Sequence, residues 1–582
     1  MKLWEVQELV LKSEKSYENP YMDVDVWMDL EGPGFKKRVY GFWDGGNTYK
    51  IRYTPTKQGA WSYKSGSFPE DPGLCNKSGT FVAEEASEAE KLKNPALRGI
   101  LRPSPNGRGF VHPDGKSFFM IGDTWWAVPT FRFKWSDDDQ KRPIEEGYFK
   151  DLIQYRKEQG YNTIAMLAGH PTWANDGFPS DIKIEDGEDG KPGSGIWIRN
   201  AWKHPGGTSA KDMHNEGGRI FHFPGPLKGY EEVLPDFRRI NPKYFKHMDK
   251  KIDYLHSQGI LSFIETARRD LSTAWKKYGG WPDTYTRYVY YIFARYQAHF
   301  TLLSPIHFDW PMASIPSREY NEPINNWLNR YGHPPFGTLL GTNPSPSTLA
   351  NFGGQDEAPW LTFHQNGNWR EHDHHWYLTE IHRSEPAMPA IAGEPYYPGF
   401  PGDDPPADSH DAELNNRAGL YGSFLSGALA GVIYGVQGLW GCDVEEAAPY
   451  KITGSIKFKS GLQTTYVKNF ALCEGDRYRD LIPDSELVTP NKAGEHIGYR
   501  GWAFCAATSN KDFALLYLEK DCPQVKVRGF PPMTKFLLQW FNPETGEWSK
   551  ETIEIATDGV GRASIPESPF KDDVGIKLIK KD

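Results

Sequence analysis

"YFKDLIQYRKEQGYNTIAML", residues 148–167, and "YFKHMDKKIDYLHSQGILSFIE", residues 244–265, contain the same succession of patterns. In each, apolar residues recur at helical spacing, a glycine follows, and an apolar run after the glycine predicts a buried strand. Helix, glycine and strand in repeated order are typical of a parallel sheet whose strands are connected by helices. The two stretches therefore predict an α/β fold.

Apolar runs that predict strands continue along the middle of the chain. The eight candidates are Phe118 to Ile121, Thr163 to Leu167, Leu261 to Ile264, Leu302 to Phe308, Leu361 to Phe363, Trp376 to Thr379, Ala390 to Ala392 and Val432 to Tyr434. A closed (β/α)8 TIM barrel has this number of strands. A doubly wound open sheet is the alternative, but "GDTWWAVPTF", residues 122–131, follows the first strand where a glycine-rich phosphate loop would lie.

The two ends of the chain have a different pattern. Residues 1–95 and 476–582 contain short β-rich runs separated by Gly, Pro and Asn, without helical periodicity. Closely spaced strands of this kind are typical of small β-sandwiches. We therefore expect a barrel over residues 96–475 with an N-terminal and a C-terminal β-sandwich on either side.

The composition restricts the class of ligand. Among 582 residues there are 21 Trp, and the formal net charge is −9. Tryptophan suits flat amphipathic ligands such as sugars, although core packing explains many such residues equally well. Interspersed charges with a net negative sum argue against nucleic acid or an anionic membrane as partner.

The sequence also bears on location and assembly. It has no apolar run of about 20 residues that could span a membrane. Its first residues lack the features of a signal peptide, so we expect a cytoplasmic protein, or a periplasmic or secreted one if a signal peptide has been removed. Five cysteines without CxxC spacing indicate neither a zinc site nor a disulfide framework. The sequence is compatible with a homo-oligomer and does not predict one.

In a parallel barrel, catalytic side chains follow the carboxyl ends of the strands. The polar residues in those positions are Asp123, His170, Glu265, Asp309, His364, Glu380, His382 and Glu394. Asp309 and Glu394 follow the fourth and seventh strands, which lie almost opposite each other across the mouth of such a barrel. Two carboxyl groups on either side of a bond are what glycoside hydrolysis requires. The alternative is that Asp309 caps a loop and Glu394 pairs with an arginine.

Further residues are candidates for contacts with a sugar. Strand alternation places His307 on the same face as Asp309. Glu265 is a second choice for a catalytic role, although Arg268 and Arg269 nearby indicate a solvated salt bridge. The candidates for substrate binding are Asp123, Trp125, Trp126, His170, Glu265, His307, Trp310, His364, Tyr396 and Trp440.

The stretch "REHDHHWYLTEIHRS", residues 370–384, contains four histidines within eleven residues and could suggest a metal site. Its spacing matches neither HExxH nor a zinc-finger pattern, and we expect no metal and no cofactor. Basic residues here and at Arg318 and Arg370 could instead bind a uronate or a sulfate group of a sugar.

Several motifs resemble one family. "GDTWWAV" after the first strand, the aspartate after the fourth, "AGEPYY" after the seventh and "GALAGVIYG" before the eighth are similar to the apiosidase-type barrels of glycoside hydrolase family 140 and their relatives. The stretch "VYGFWDGGNTYKIRYTPTKQGAWSYKSGS" is similar to the β domain that often precedes them. The resemblance implies Asp309 as acid/base and Glu394 as nucleophile. The family commonly has two glycines before this aspartate, where the present chain has His307 and Phe308.

These observations predict a glycoside hydrolase that acts on a plant or algal polysaccharide or oligosaccharide by a retaining mechanism. We expect Glu394 to stay ionised with help from Tyr396, and Asp309 to hold its proton beside Phe308 and Trp310. A non-catalytic carbohydrate-binding protein on a degenerate barrel is the alternative.

Overall fold

The computed structural model describes the chain except residues 170–181, 187–195, 199–213, 233, 270–271, 310–314, 368–371, 373, 401–403, 493–497 and 582. At its centre lies a parallel sheet of seven strands, numbered here β1 to β7 in chain order: Met120–Thr124, Thr163–Leu167, Leu261–Glu265, Thr301–Ser304, His364–Gly367, Ala390–Glu394 and Gly431–Tyr434. They lie side by side in the order β4-β3-β2-β1-β7-β6-β5.

Helices connect these strands. The longer ones, α1 to α7, are Phe149–Gln159, Pro242–Gln258, Asp283–Tyr296, Asn321–Tyr331, His374–Arg383, His410–Ser426 and Lys459–Ala471. Shorter helices and turns are Pro20–Asp23, Glu88–Lys93, Pro95–Arg98, Ile144–Glu146, Ser272–Tyr278, Ser317–Tyr320, Thr348–Phe352, Ile452–Ser455, Gly475–Asp480 and Ser485–Leu487. Small strands outside the central sheet are Arg102–Pro103, Phe110–Val111, Ser117–Phe118, Ile182–Glu185, Ile196–Ile198, His214–Asn215, Gly218–Arg219, Phe221–His222 and Asp236–Ile240.

Helix α2 forms for reasons that are visible in its sequence. The Asn241 side chain caps its first turn by accepting a hydrogen bond from the Lys243 amide at 3.1 Å, and Pro242 occupies the first helical position. Gly259 ends the helix with φ of 68°, a left-handed conformation that favours glycine. Strand β3 follows, so the predicted helix, glycine and strand are confirmed here and for α1 and β2.

Both edges of the central sheet contact one segment, residues 339–346. Leu340 forms a parallel bridge to Leu303 of β4, and the Leu340 carbonyl accepts a hydrogen bond from the Thr362 amide at 2.8 Å. The Gly367 amide of β5 donates to the Pro346 carbonyl at 3.2 Å. The sheet is therefore curled into a half-barrel, with this segment between its edges.

Two strand predictions are wrong. Residues 376–379 belong to α5, because His375, Leu378 and Ile381 are buried while Trp376 and Glu380 are exposed, which is helical spacing. Residues 361–363 precede strand β5, whose own sequence His-Gln-Asn-Gly has no apolar run. Polar side chains buried in a sheet produce no hydrophobic pattern, so this strand could not be predicted from its sequence.

Antiparallel sheets occupy the two ends of the chain. The N-terminal strands are Gln7–Lys12, Asp25–Gly32, Phe35–Tyr40, Phe42–Trp43, Thr48–Tyr53, Gly59–Phe68 and Ser78–Ala83, in sheets of four and three. The C-terminal strands are Ile482–Pro483, Val488–Thr489, Ala503–Ala507, Phe513–Leu518, Lys526–Val527, Lys535–Asn542, Glu547–Ala556, Ala563–Ser564 and Val574–Lys580, in sheets of six and three. Each end has a hydrophobic cluster of its own.

Buried ion pairs attach these ends to the central helices. Asp249 of α2 accepts hydrogen bonds from Arg52 at 2.7 Å and from Arg295 of α3 at 2.6 Å. Arg295 also pairs with Asp44 of the N-terminal end at 3.0 Å. At the other end, Arg417 of α6 pairs with Asp573 at 2.7 Å. These charges are shielded from water, so each depends on its partners.

Within the part of the chain that the structure describes, no helix combines the length and the apolarity needed to cross a membrane.

The substitution Asp249→Asn should destabilise the protein strongly. It leaves Arg52 and Arg295 buried without their shared carboxylate, and breaking a buried pair costs about 3–5 kcal/mol. Urea unfolding followed by tryptophan fluorescence measures the loss. The control is Asp29→Asn, which breaks an exposed pair with Arg38 worth at most about 1 kcal/mol. Equal losses in the two variants would contradict the prediction.

Candidate active site

Three acidic side chains lie at the carboxyl edge of the central sheet. Glu265 ends β3, Glu394 ends β6, and Asp309 follows β4 by five residues. Parallel strands in register bring these positions to one edge, since Leu167 pairs with Glu265 and Glu265 with Ser304. Glu265 is fully buried, whereas Asp309 and Glu394 each retain 7% exposure. The last two thus keep a small opening towards solvent.

His307 lies between two of these carboxyl groups. Its Nδ1 is 3.0 Å from Oε2 of Glu265, and its Nε2 is 3.5 Å from Oδ2 of Asp309. Burial lowers the pKa of His307, but the charges of Glu265 and Asp309 outweigh it and raise the pKa to about 10. The two neighbouring carboxyl groups therefore favour the imidazolium form of His307. Its ring also packs edge-on against Trp126 at 4.5 Å.

Two arginines that follow β3 bind Asp309. Arg268 Nη2 lies 2.5 Å from Oδ2, and Arg269 Nη1 lies 3.1 Å from Oδ1. Burial alone would raise the pKa of Asp309, but Arg268, Arg269 and His307 hold it well below its usual range. The expectation that Asp309 keeps its proton in an apolar setting is wrong for this site. The expected solvated salt bridge with Glu265 is wrong as well, because both arginines are buried and face Asp309.

The pKa of Glu394 is shifted in the opposite direction from that of Asp309. Burial raises its pKa, and the negative charges of Asp309 and Glu265 add to the rise, so that the pKa is about 8 although His307 and Arg268 lower it. This rise is opposite in direction to the expectation that Glu394 stays ionised. Among described contacts no hydrogen bond reaches the Glu394 carboxyl group. The ring of Tyr396, the expected donor, lies 5.3 Å from Tyr499 in the C-terminal end.

Glu265 is the third carboxyl group of the site. Burial raises its pKa, against the effect of His307, which lowers it. One oxygen binds His307, and the other has no described hydrogen bond. Glu265 is fully enclosed, so it orients His307 rather than facing a ligand.

Asp123 and Trp125 contribute to packing, not to the cleft. The Asp123 carboxylate is fully buried and accepts hydrogen bonds from Arg156 at 2.7 Å and from the Trp125 indole at 2.8 Å. Trp125 is also fully buried and stacks on Phe133 at 5.1 Å. Hydrogen bonding of Asp123 to a substrate and stacking of Trp125 on a sugar are therefore corrected to structural roles.

The remaining candidates differ in their positions. His364 begins β5 instead of following a strand, is buried, and its Nδ1 lies 2.7 Å from Thr348 Oγ1, so its predicted role is corrected. Trp440 is partly exposed and stacks on Phe400 at 5.9 Å. His170 and Trp310 lie outside the described residues.

The histidine-rich stretch serves the contact with the C-terminal end. His372 Nε2 lies 2.8 Å from Glu519 Oε1, and buried His375 packs edge-on against Phe504 at 4.7 Å. In the described ranges no group of three or more His, Cys, Asp and Glu could hold a metal ion. Arg318 pairs with Glu357 on the surface, and Arg370 lies outside the described residues.

Polar side chains that were not predicted from the sequence lie near the strand ends. The amide groups of Gln365 and Asn343 are buried, and Gln365 Nε2, Gln365 Oε1 and Asn343 Oδ1 have no described hydrogen-bond partner. A Cβ at Gly393 would lie 2.3 Å from Gln365 Oε1, so glycine before Glu394 makes room for this amide. Gly393 in "AGEP" was the available signal, because a glycine in a strand often marks a close approach.

Comparisons with known proteins agree with this geometry. Residues 104–474 match the family model described as the apiosidase-like catalytic domain, and residues 1–68 match a domain of unknown function, DUF5060. No curated protein matches the sequence.

Solved structures share the fold. A Bacteroides vulgatus protein proposed to be a glycoside hydrolase is 16% identical, with a TM-score of 0.64, and the alignment covers 100% of this chain and 99% of that one. A family 5 glycoside hydrolase from Bacteroides vulgatus is 16% identical, with a TM-score of 0.55, over 84% and 94% of the two chains.

The family match spans more than half of the chain and contains the whole carboxyl edge with Glu265, Asp309 and Glu394. This chain is therefore a glycoside hydrolase and belongs to the apiosidase-like family.

Proposed function

We propose that the protein cleaves a glycosidic bond of a plant or algal polysaccharide or oligosaccharide with Asp309 and Glu394 as its catalytic carboxyl groups. The observation that supports this is a pair of slightly exposed carboxyl groups at one sheet edge with pKa values moved in opposite directions. Carboxyl groups whose pKa values are separated in this way can divide acid and base roles. We further infer a (β/α)8 barrel over residues 96–475, flanked by sandwiches over 1–95 and 476–582.

The proposed mechanism is retaining, with Glu394 as nucleophile. A nucleophile needs free lone pairs, and the Glu394 carboxyl group has no described hydrogen bond, whereas guanidinium groups occupy both oxygens of Asp309. The pair holds one proton at neutral pH. In the unliganded site that proton is on Glu394, so it has to pass to Asp309 as substrate displaces Arg268 and Arg269.

The chemistry then follows in two steps. Asp309 donates its proton to the leaving oxygen while the Glu394 carboxylate attacks the anomeric carbon and the glycosidic bond breaks. Asp309, now ionised, takes a proton from water, whose oxygen attacks the same carbon and releases Glu394. His307 holds Asp309 in place, and Glu265 fixes the orientation of His307.

In a second candidate mechanism Asp309 and Glu394 exchange their roles. The pKa directions favour it, because Glu394 already carries a proton in the unliganded site and Asp309 is already ionised. It would make Glu394 the proton donor and Asp309 the attacking group.

Asp309→Asn and Glu394→Gln should each lower kcat by at least about 10²-fold, because an amide neither donates the proton nor attacks carbon. Release of reducing sugar from a panel of plant and algal polysaccharides measures the loss. Glu554→Gln is the control, since this exposed C-terminal carboxylate pairs with Lys535 far from the site. Either variant with activity within about tenfold of wild type would remove that residue from the proposal.

The pH profile should show a long plateau that ends on the alkaline side. Because the pKa of Glu394 is about 8, the pair loses its last proton as pH rises through this value, and kcat/KM should fall there. Because the pKa of Asp309 is well below its usual value, the second proton binds only at low pH. Full activity up to a pH of about 9.5 would be inconsistent with a shared proton in this pair.

Azide distinguishes the two assignments. With Glu394 as nucleophile, Glu394→Ala plus azide should give a glycosyl azide of inverted configuration, and Asp309→Ala plus azide one of retained configuration. The anomeric signal in proton NMR reports the configuration. The reverse pattern would establish the exchanged assignment, and inverted sugar from wild type at early times would exclude retention.

A further inference from the structure

A groove separate from the catalytic carboxyl groups lies between α5 and the C-terminal sheets. We call it the C-terminal groove; its side chains are Trp376, Glu380 and Arg383 of α5 and Glu486, Lys492 and Trp502 of the C-terminal end. Its volume is about 770 Å³, within the range of roughly 300–1,000 Å³ that ligand sites occupy. Clefts between structural units are common ligand sites.

One wall of the groove is a fixed stack of rings. His372 stacks on the Trp502 indole, with ring centroids 4.1 Å apart and planes inclined by 14°. Glu519 holds both residues, through His372 Nε2 at 2.8 Å and the Trp502 backbone amide at 3.1 Å. A platform held in this way loses little conformational freedom when a ligand binds. The indole N–H of Trp502 is enclosed and has no described hydrogen-bond partner.

The other wall exposes a tryptophan. Trp376 is 74% exposed, which is unusual for an indole, while its helix neighbours Leu378 and Ile381 are buried. Its apolar face has no role in the core of the protein. Glu380 and Arg383, four and seven residues further along α5, place a carboxylate and a guanidinium at its side.

Flat apolar faces beside planar polar groups suit a sugar ring. The C–H face of a pyranose or furanose stacks on an indole, and its hydroxyl groups both donate and accept hydrogen bonds. Carboxylates, guanidinium and ammonium groups around the groove supply both kinds of partner. Charged groups are depleted at the centre of protein–protein interfaces, which disfavours a second copy of the chain or a peptide as occupant.

The charges of the groove favour a neutral saccharide. Glu380, Asp484 and Glu486 line it together with Arg383 and Lys492. Glu486 also pairs with Arg528, so three carboxylates and three cations nearly balance and give a uronate or sulfate chain no net attraction, whereas neutral hydroxyl groups need none.

The groove is next to the catalytic edge without being part of it. His372 packs against Tyr499 at 5.3 Å, and Tyr499 packs against Tyr396, two residues after Glu394, also at 5.3 Å. We propose that the C-terminal groove is a second carbohydrate-binding site that holds a neutral stretch of a polysaccharide while another part of the chain is cleaved. The inference takes from the proposed function only that the substrate is polymeric.

Binding without turnover tests this site. Electrophoresis of the full chain carrying Glu394→Gln, in gels that contain xyloglucan, arabinoxylan or galactomannan, measures retardation by each polymer; alginate is the anionic comparison. At least one neutral polymer should retard the protein, and Trp376→Ala should weaken that binding about three- to tenfold, the effect of one aromatic contact. Trp376→Phe should restore part of it.

Met533→Ala is the matched control, because Met533 is 79% exposed in the C-terminal end but is not among the residues that line the groove. Equal retardation of Trp376→Ala and this control would overturn the proposal, as would no retardation by any neutral polymer. Retardation by alginate alone would assign the groove to an anionic ligand, and a dimer that dissociates in Trp376→Ala during sedimentation would assign it to self-association. Either result overturns a neutral-saccharide site. None of these outcomes depends on whether Glu394 is the nucleophile.

Discussion

The parallel direction of the central strands is the constraint on which the site depends. Because β3, β4 and β6 all end at one edge, Glu265, Asp309 and Glu394 are brought within electrostatic range of one another. Three carboxyl groups with little access to water repel one another, and the site compensates with positive charge and with a proton. Arg268, Arg269 and His307 supply the charge, and the raised pKa of Glu394 favours its protonated form.

Much of this arrangement is local in the sequence and could be predicted from it. A helix stop at Gly160 or Gly259 followed by an apolar run marks β2 and β3, and a carboxylate directly after such a run marks the functional edge. The flanking antiparallel strands are equally evident from their alternation and their turns.

Pairing across the sheet could not be predicted, because it depends on residues far apart in the chain. Arg268 is 41 residues from Asp309, and nothing in "IETARRD" indicates with which carboxylate its guanidinium forms an ion pair. The ion pair with Arg268 lowers the pKa of Asp309, whereas the pKa of Glu394 is raised. Both shifts are opposite to the expected ones, although the two residues lie at the same sheet edge as predicted. Strand β5 was not predicted because its residues are polar. Part of helix α5 was predicted as a strand because its apolar residues were assigned to a strand instead of to one face of a helix.

The ion pairs at Asp249 also bear on how such proteins diversify. Arg52 lies in the N-terminal end, whereas Asp249 and Arg295 lie on central helices, and the three charges are buried together. A recombination event that exchanged the first 95 residues for an unrelated module would leave Asp249 with Arg295 alone, and it would remove Asp25, the carboxylate with which buried Arg287 of α3 pairs. The N-terminal module is therefore expected to be inherited with its catalytic partner as one unit, and new combinations should arise by changes in loops rather than by exchange of this module.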